Sequence, residues 1–344
     1  MVRFSDIKGI KGRGIGRGNT SFSKGEEDRA WLSDSPIREE PADSVLAEQG
    51  HAEVASYYEK FVRAAMEVKD KVSSGEGISP SPILADLHDV LERDLAERLY
   101  AHAMSAPDDY EEVFIHSVEV TLASLLVGKG LGYDTKRLLE LGLAAFLENV
   151  GMYTIPGVVL QKQTKLDESE VNRIRQHPEM SYQILSHMGE KYRWLAEVAA
   201  QVHERADGTG YPKGLKGGEI TELASIIGLV DTYVAMIRKR PYREKFLEAD
   251  AVKFILKEAK PQFPARVLKA FLNQISLFPL NTYVRLNNKS VGRVVATERN
   301  QPLRPTVELT YDGMGNKLEK KEIIRLADNP LLYVLETLDE REFM

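Results

Sequence analysis

Between residues 109 and about 277 the apolar side chains recur at helical spacing, and that spacing leaves little choice of fold. Leu122, Leu125 and Leu126; Leu138, Leu139 and Leu143; Ile174, Ile184 and Leu185; Leu195 and Val198; Ile226 to Val230; and Val252, Ile255 and Leu256 form stripes suited to one face of a helix. Pro107, Pro156, Pro178 and Pro261 fall where such helices start or stop. The pattern predicts a mainly α chain with a helical bundle over 109–278.

Helices also precede this block, in a region spanning 43–108. Val54, Tyr57, Tyr58, Phe61 and Ala65 share one face, as do Ile83, Leu84, Leu87, Val90, Leu91 and Leu95. The Ser-, Gly- and Pro-rich stretch 73–82 separates the two as a loop. After 278 the period changes. Tyr283–Leu286, Gly292–Ala296 and Thr306–Tyr311 are short, β-branched and alternating, with Asn287-Asn288 and Asp312-Gly313 as turns. Residues 279–344 are therefore expected to form a small antiparallel β module, with its strands in 279–327 and a closing helix over 329–342.

Residues 1–24 hold five glycines and six Lys or Arg against one Asp, whereas 25–49 hold eight acidic residues against two Arg. With so few apolar groups to offset ordering entropy, 1–42 is expected to be a disordered tail. Its Gly-Arg run 12–18 has the composition for a weak contact with RNA, an anionic membrane or a partner, although association with the acidic stretch or plain solvation is the commoner outcome. The net charge of −6 argues against broad nucleic-acid binding by the whole chain. The absence of cysteine removes disulfides, thiolate metal sites and cysteine nucleophiles. No apolar run reads as a bilayer span and no signal-peptide core is evident, so a cytoplasmic protein is expected.

Any metal must therefore sit on His, Asp, Glu or Asn. Of seven histidines, His51, His88, His102 and His187 read as ordinary surface or packing residues. His116, His177 and His203 lie in or beside helices of the central block, and Asp231 sits in the apolar run Ile226–Val230 and its continuation. A carboxylate in that setting must be paired, hydrogen-bonded or metal-bound. Spacing alone does not say that the four converge, and satisfied core histidines remain the commoner case.

The order of motifs adds more. The segment His203-Glu204-Arg205-Ala206-Asp207-Gly208-Thr209-Gly210-Tyr211-Pro212, preceded by His116-Ser117, Ile155-Pro156, Lys165-Leu166 and His177-Pro178-Glu179, and followed by Asp231 and Arg240-Pro241-Tyr242-Arg243, resembles the HD-GYP family of bacterial cyclic di-GMP phosphodiesterases over about 110–260. The resemblance implies an HD-type helical bundle. It also implies a metal-assisted phosphodiester hydrolase in which ions bridged by a carboxylate activate water and clamp the substrate. It places metal ligands at His116, His177, His203 and Asp231, with Glu112 one turn before His116. It further implies ligand contacts from Tyr211, Pro212, Lys213, Arg240 and Arg243, where the guanidinium forks suit phosphate oxygens.

The chain departs from the family pattern where the chemistry is concentrated. Glu148-Asn149 stands in place of the His-Asp pair, Met152 in place of the lysine that follows, and Val202 in place of the first histidine of a His-His pair. Glu148 remains a metal donor, but Asn149 is neutral and a poor bridge between two cations. The expectation is a degenerate member with no ion or one divalent ion (iron, manganese or zinc) at a depleted site of His116, Glu148, Asn149, His177, His203 and Asp231. Such a protein regulates or binds with little or no hydrolysis. Its expected partners are cyclic di-GMP, or a signalling protein met through the Gly-Tyr-Pro loop. The alternative is a metal-dependent phosphodiesterase with an altered site.

Overall fold

The computed structural model describes residues 42–106, 110–238, 246–275, 278, 282–297, 301 and 303–338. The chain falls into two compact units, 1–52 and 53–344. Of the first, only the helical backbone from Ala42 onward is described, so the expected tail over 1–42 lies almost wholly outside the described residues.

Twelve α-helices precede the sheet among the described residues. They begin with α1 (Ala42–Ser74), α2 (Ser81–Glu92), α3 (Ala96–Ser105), α4 (Glu112–Gly130), α5 (Thr135–Leu147) and α6 (Gly157–Leu160). Then come α7 (Glu168–Arg175), α8 (His177–Ser186), α9 (Arg193–Gln201), α10 (Glu222–Ile237), α11 (Glu248–Phe254) and α12 (Ala265–Gln274). Local chemistry sets several of their starts. Asp134 caps α5 by accepting from the Arg137 N–H, Asp167 and Glu170 form a reciprocal capping box on α7, and Thr221 caps α10.

At the centre lies α4, apolar on all sides and packed against α3, α5, α10 and α12. It is long and apolar enough to cross a membrane, which the sequence reading overlooked, but 83% of the relevant stretch is buried inside the fold. An all-round apolar helix suits a protein core as well as a bilayer, and this one is a core helix. Val54, Tyr58, Phe61 and Ala65 of α1 and Ile83, Leu87 and Val90 of α2 join the same contiguous core. Glu119 of α4 is fully buried, and the Arg238 guanidinium meets it while donating to the Ala103 carbonyl at 2.7 Å. That pairing ties α3, α4 and the end of α10 together.

The C-terminal sheet is antiparallel, in the order β4-β3-β2-β1-β5. Its strands are β1 (Tyr283–Leu286), β2 (Val291–Ala296), β3 (Thr306–Tyr311), β4 (Lys317–Arg325) and β5 (Val334–Leu338). Val284, Leu286, Val294, Val307 and Leu309 turn inward. Asn288 and Asp312 build the two hairpin turns by accepting backbone N–H groups two residues on, as their sequence positions suggested. One expectation is corrected. Residues 334–338, assigned to a closing helix, form β5, with Leu338 opposite Tyr283 and Thr337 opposite Val284. The free edge of β1 offers ladder hydrogen bonds that outweigh the local pattern. Residues 339–342 of the expected helix lie outside the described residues.

Candidate metal and ligand site

Five polar side chains from five parts of the bundle meet beneath the Gly-Tyr-Pro loop. His116 comes from α4, Glu148 from the residue after α5, His177 from the start of α8, His203 from just beyond α9, and Asp231 from α10. Tight backbone packing brings two of them together. After Glu148 the chain makes a short 3-10 turn, Val150–Thr154. The Gly151 N–H donates to Ser181 Oγ at 2.9 Å, and that hydroxyl donates to the Glu148 carbonyl at 2.6 Å. A Cβ at Gly151 would lie 2.1 Å from the His177 carbonyl, so only glycine lets this turn rest on α8. On the other side, Arg205 donates to the Val202 carbonyl at 2.9 Å and to Thr232 Oγ1 at 3.1 Å, holding the His203 segment against the part of α10 that carries Asp231.

The donors point inward. His177 Nδ1 lies 2.6 Å from the Ile174 carbonyl, which only accepts, so Nδ1 carries the hydrogen and Nε2 keeps a lone pair. That Nε2 is 2.9 Å from His203 Nε2. His116 Nε2 is 2.8 Å from Asp231 Oδ1. Glu148 accepts from Asn149 Nδ2 through one oxygen, while Glu148 Oε2 and His116 Nδ1 are buried with no hydrogen-bond partner. Two groups of three possible metal donors result: Glu148, His177 and His203; and His116, Glu148 and Asp231. Glu148 belongs to both.

Burial dominates the electrostatics. It pushes Glu148 well above the ordinary carboxylate range, reinforced by the negative charge of Asp231. It drives His203 down to about 3, with His177 as the second cause, and lowers His177 as well. For Asp231 burial pushes upward, but the His116 hydrogen bond and the surrounding His203, His116 and Arg205 outweigh it and hold the carboxyl well below its usual value. Burial thus favours neutral His177 and His203 and an uncharged Glu148, beside an Asp231 held in its ionised form. Neutral imidazole and carboxylate are the donor types that a borderline divalent ion takes. An orphaned carboxyl oxygen within two donor triplets fits such an ion better than it fits a finished core.

Asn149 donates its amide nitrogen to Glu148. Val202 is fully buried with its side chain in the apolar core, and Met152 is half-buried on the 3-10 turn. Tyr211 stacks on His203 with ring centroids 4.9 Å apart and planes 3° from parallel. Pro212 and Lys213 are exposed at the rim. Arg240 and Arg243 lie outside the described residues.

Two residues carry more of the site than their motif position suggested. Glu204 is buried, and its carboxylate accepts from the Lys213 N–H at 2.6 Å and the Leu215 N–H at 2.9 Å, clamping the loop over His203. Gly210 passes so close beneath that a Cβ would come within 2.4 Å of the Arg205 nitrogen. Arg175, which no motif marked, holds its guanidinium 5.6 Å from the centre of the Tyr211 ring.

This arrangement is that of an HD-type helical domain. The family model described as "HD domain" matches residues 90–267, and a second, "KOW domain associated with HD domain", matches 283–344. The chain belongs to the HD-domain family and, within it, to the HD-GYP group. It is similar to the cyclic di-GMP phosphodiesterase PdeB of Borreliella burgdorferi, 31% identical over 208 residues that cover 60% of this chain and 54% of that protein. It is 27% identical over 224 residues to the cyclic di-GMP phosphodiesterase PA4108 of Pseudomonas aeruginosa, covering 65% and 53%. It is 32% identical over 195 residues to the response regulator RpfG of Xanthomonas campestris, also a cyclic di-GMP phosphodiesterase, covering 55% and 50%. The chain thus spans about half the length of the curated relatives it matches. Among solved structures, Bd1817, a HDG"Y"P protein from Bdellovibrio bacteriovorus, shares the fold with a TM-score of 0.52 at 17% identity, over 62% of this chain and 69% of that one.

Proposed function

We propose that this chain is a cyclic di-GMP signalling module whose pocket holds one divalent ion and binds the dinucleotide with little or no hydrolysis. The observation that carries this reading is the charge of the donor set. Glu148 and Asp231 are the two carboxylates among the five donors, and Asn149 supplies none. Two carboxylates neutralise one divalent ion and leave a second unbalanced in a buried site, where unpaired charge is most costly. The names of the relatives supply the ligand class.

His116, Glu148, His177, His203 and Asp231 would hold the ion, which polarises a phosphoryl oxygen and acidifies bound water when present. The chain's own residues prepare for it. The Ile174 carbonyl fixes the His177 tautomer so that Nε2 is the donor. Asp231 orients His116. Glu148 gives up its proton on loading, so binding is tighter at higher pH. Tyr211 and the Glu204-clamped loop cover the outer histidine and keep water from that side.

A second reading rests on one specific observation: Glu148 is common to both donor groups. Glu148 would then help to hold two ions, with His177 and His203 on one side and His116 and Asp231 on the other, and the chain would work as a metal-dependent phosphodiesterase with an altered site. Metal content of the purified chain, together with turnover of cyclic di-GMP in added manganese or iron, separates the two. The first reading expects about one ion per chain and no turnover above background. About two ions per chain, with hydrolysis abolished by His203→Ala, would establish the second.

A further inference from the structure

We infer that Arg175 and Tyr211 form an anion subsite beside the donor cluster, taking a phosphodiester group of the bound dinucleotide; this rests on the cyclic di-GMP reading above. Arg175 is the last residue of α7, two positions before the donor His177. Its guanidinium lies over the Tyr211 ring at 5.6 Å, and the same ring stacks on His203. A continuous path of contacts therefore runs from the donor cluster to Arg175.

The partners of Arg175 set it apart. Arg205 spends its donors on the Val202 and Glu204 carbonyls and Thr232. Arg238 is spent on Glu119 and the Ala103 carbonyl, Arg266 on Glu222, and Arg137 on Glu140. Arg175 is half-buried, yet among the described residues it has no hydrogen bond and no carboxylate, only the face of Tyr211. In a chain of net charge −6 with 52 acidic residues, a half-enclosed guanidinium without an acidic neighbour stands out. The Tyr211 hydroxyl likewise has no hydrogen-bond partner among the described residues, and a phenol O–H can donate.

A phosphodiester is anionic, and a cationic donor beside a neutral one suits its oxygens. A guanidinium whose only contact is an aromatic face keeps its N–H donors uncommitted, and its fork matches two phosphate oxygens. The adjacent phenol supplies a third donor. The competing view gives Arg175 a purely structural task, holding the loop to α7 through the ring. The two views differ in salt dependence and in what lysine restores.

The test measures cyclic di-GMP binding by calorimetry on the full chain loaded with manganese, at two salt concentrations, with thermal melting to confirm folding. Arg175→Ala is expected to weaken binding by about tenfold or more, the worth of a charge-assisted pair, and to flatten its salt dependence. Arg175→Lys keeps the charge without the fork and is expected to fall between the two. Arg173→Ala, at an exposed position two residues earlier on α7, is expected to bind like the wild type. If Arg175→Ala and Arg175→Lys bind within about twofold of wild type with the same salt slope, less than one such pair is lost and the subsite is overturned while the proposed function stands. If the wild-type chain does not bind cyclic di-GMP, both fall together.

Discussion

The helical pocket and the C-terminal sheet use charged side chains in opposite ways. In the pocket, Glu148, Asp231, His116 and His177 are buried, and Glu148 and His116 each keep an atom with no partner. In the sheet, charges stay near solvent and pair across strands: Arg285 with Glu336, Arg293 and Lys321 with Glu308. Burial of unspent donors costs stability and is tolerated where something else is to be bound. Exposed cross-strand pairs cost little and add little. The pocket is thus the place where substitutions should change binding, and the sheet the place where they should change almost nothing.

The sharpest way to break that contrast is Asp231→Asn. It removes the one firmly ionised carboxylate of the cluster. Loss of an outer-shell partner alone typically costs ten- to a hundredfold in metal affinity, so loss of this donor should cost more than about a hundredfold. Calorimetric titration with manganese or zinc measures it. Unchanged affinity would mean that the five donors are a satisfied polar core.

Next in size is Gly210→Val. The new side chain would be driven into the Arg205 nitrogen and Glu204 Cα, at 2.4 and 2.5 Å for the Cβ alone. A destabilisation of about 2–3 kcal/mol is expected in chemical denaturation, as for other overpacked sites. Loop displacement should also expose His203. A neutral result would show that the loop over the pocket is as forgiving as a sheet edge.

A smaller effect comes from pH on the metal-free chain. His203, held down to about 3 by burial and then by His177, is neutral when folded but titrates near 6.5 when unfolded. Its stabilising contribution is complete above about 6.5 and is lost as pH falls toward 3, at up to about 1.4 kcal/mol per pH unit. Glu148 acts in the opposite direction. Raised by burial and by Asp231, it is stabilising when protonated, and that benefit is lost as pH rises through its folded value. The wild-type chain should therefore lose stability only gently between about pH 6.5 and 4.5, the opposing terms partly cancelling. Glu148→Gln removes the second term: the metal-free variant should be more stable than wild type at neutral pH and lose stability more steeply on acidification. Parallel melting curves for the two proteins in chelator would remove Glu148 from this account.

What the sequence disclosed follows the range of the forces involved. Helices α4, α5 and α10 were legible because apolar side chains at helical spacing are a local signal. The hairpin turns at Asn288 and Asp312 were legible for the same reason. Strand β5 was not, because its partner lies far back in the chain; the Arg285–Glu336 contact closes 51 residues. In the pocket, ordered motifs picked out His116, His177, His203 and Asp231, but spacing did not say that they meet. Neither the position of Glu148 in both donor groups nor the approach of Arg175 to the Tyr211 ring leaves a periodic trace, because each depends on how separate elements pack.

The least expected effect belongs to the sheet. Arg285 and Glu336 join β1 to β5, the pairing the sequence concealed, and both side chains remain about 40% exposed, at 38% and 46%. Water screens such a pair, and ordering two long side chains offsets much of the attraction. The strand is held instead by its ladder with β1 and by the buried Thr337 and Leu338. Glu336→Gln, which keeps the shape and removes the charge, should shift stability by about 0.5 kcal/mol or less at physiological salt. Thr337→Asp, which forces a charge into the buried side of the same strand, should cost several times as much. Equal losses from the two substitutions would mean that β5 depends on its surface charges, and the contrast between pocket and sheet would then fail on the sheet's side.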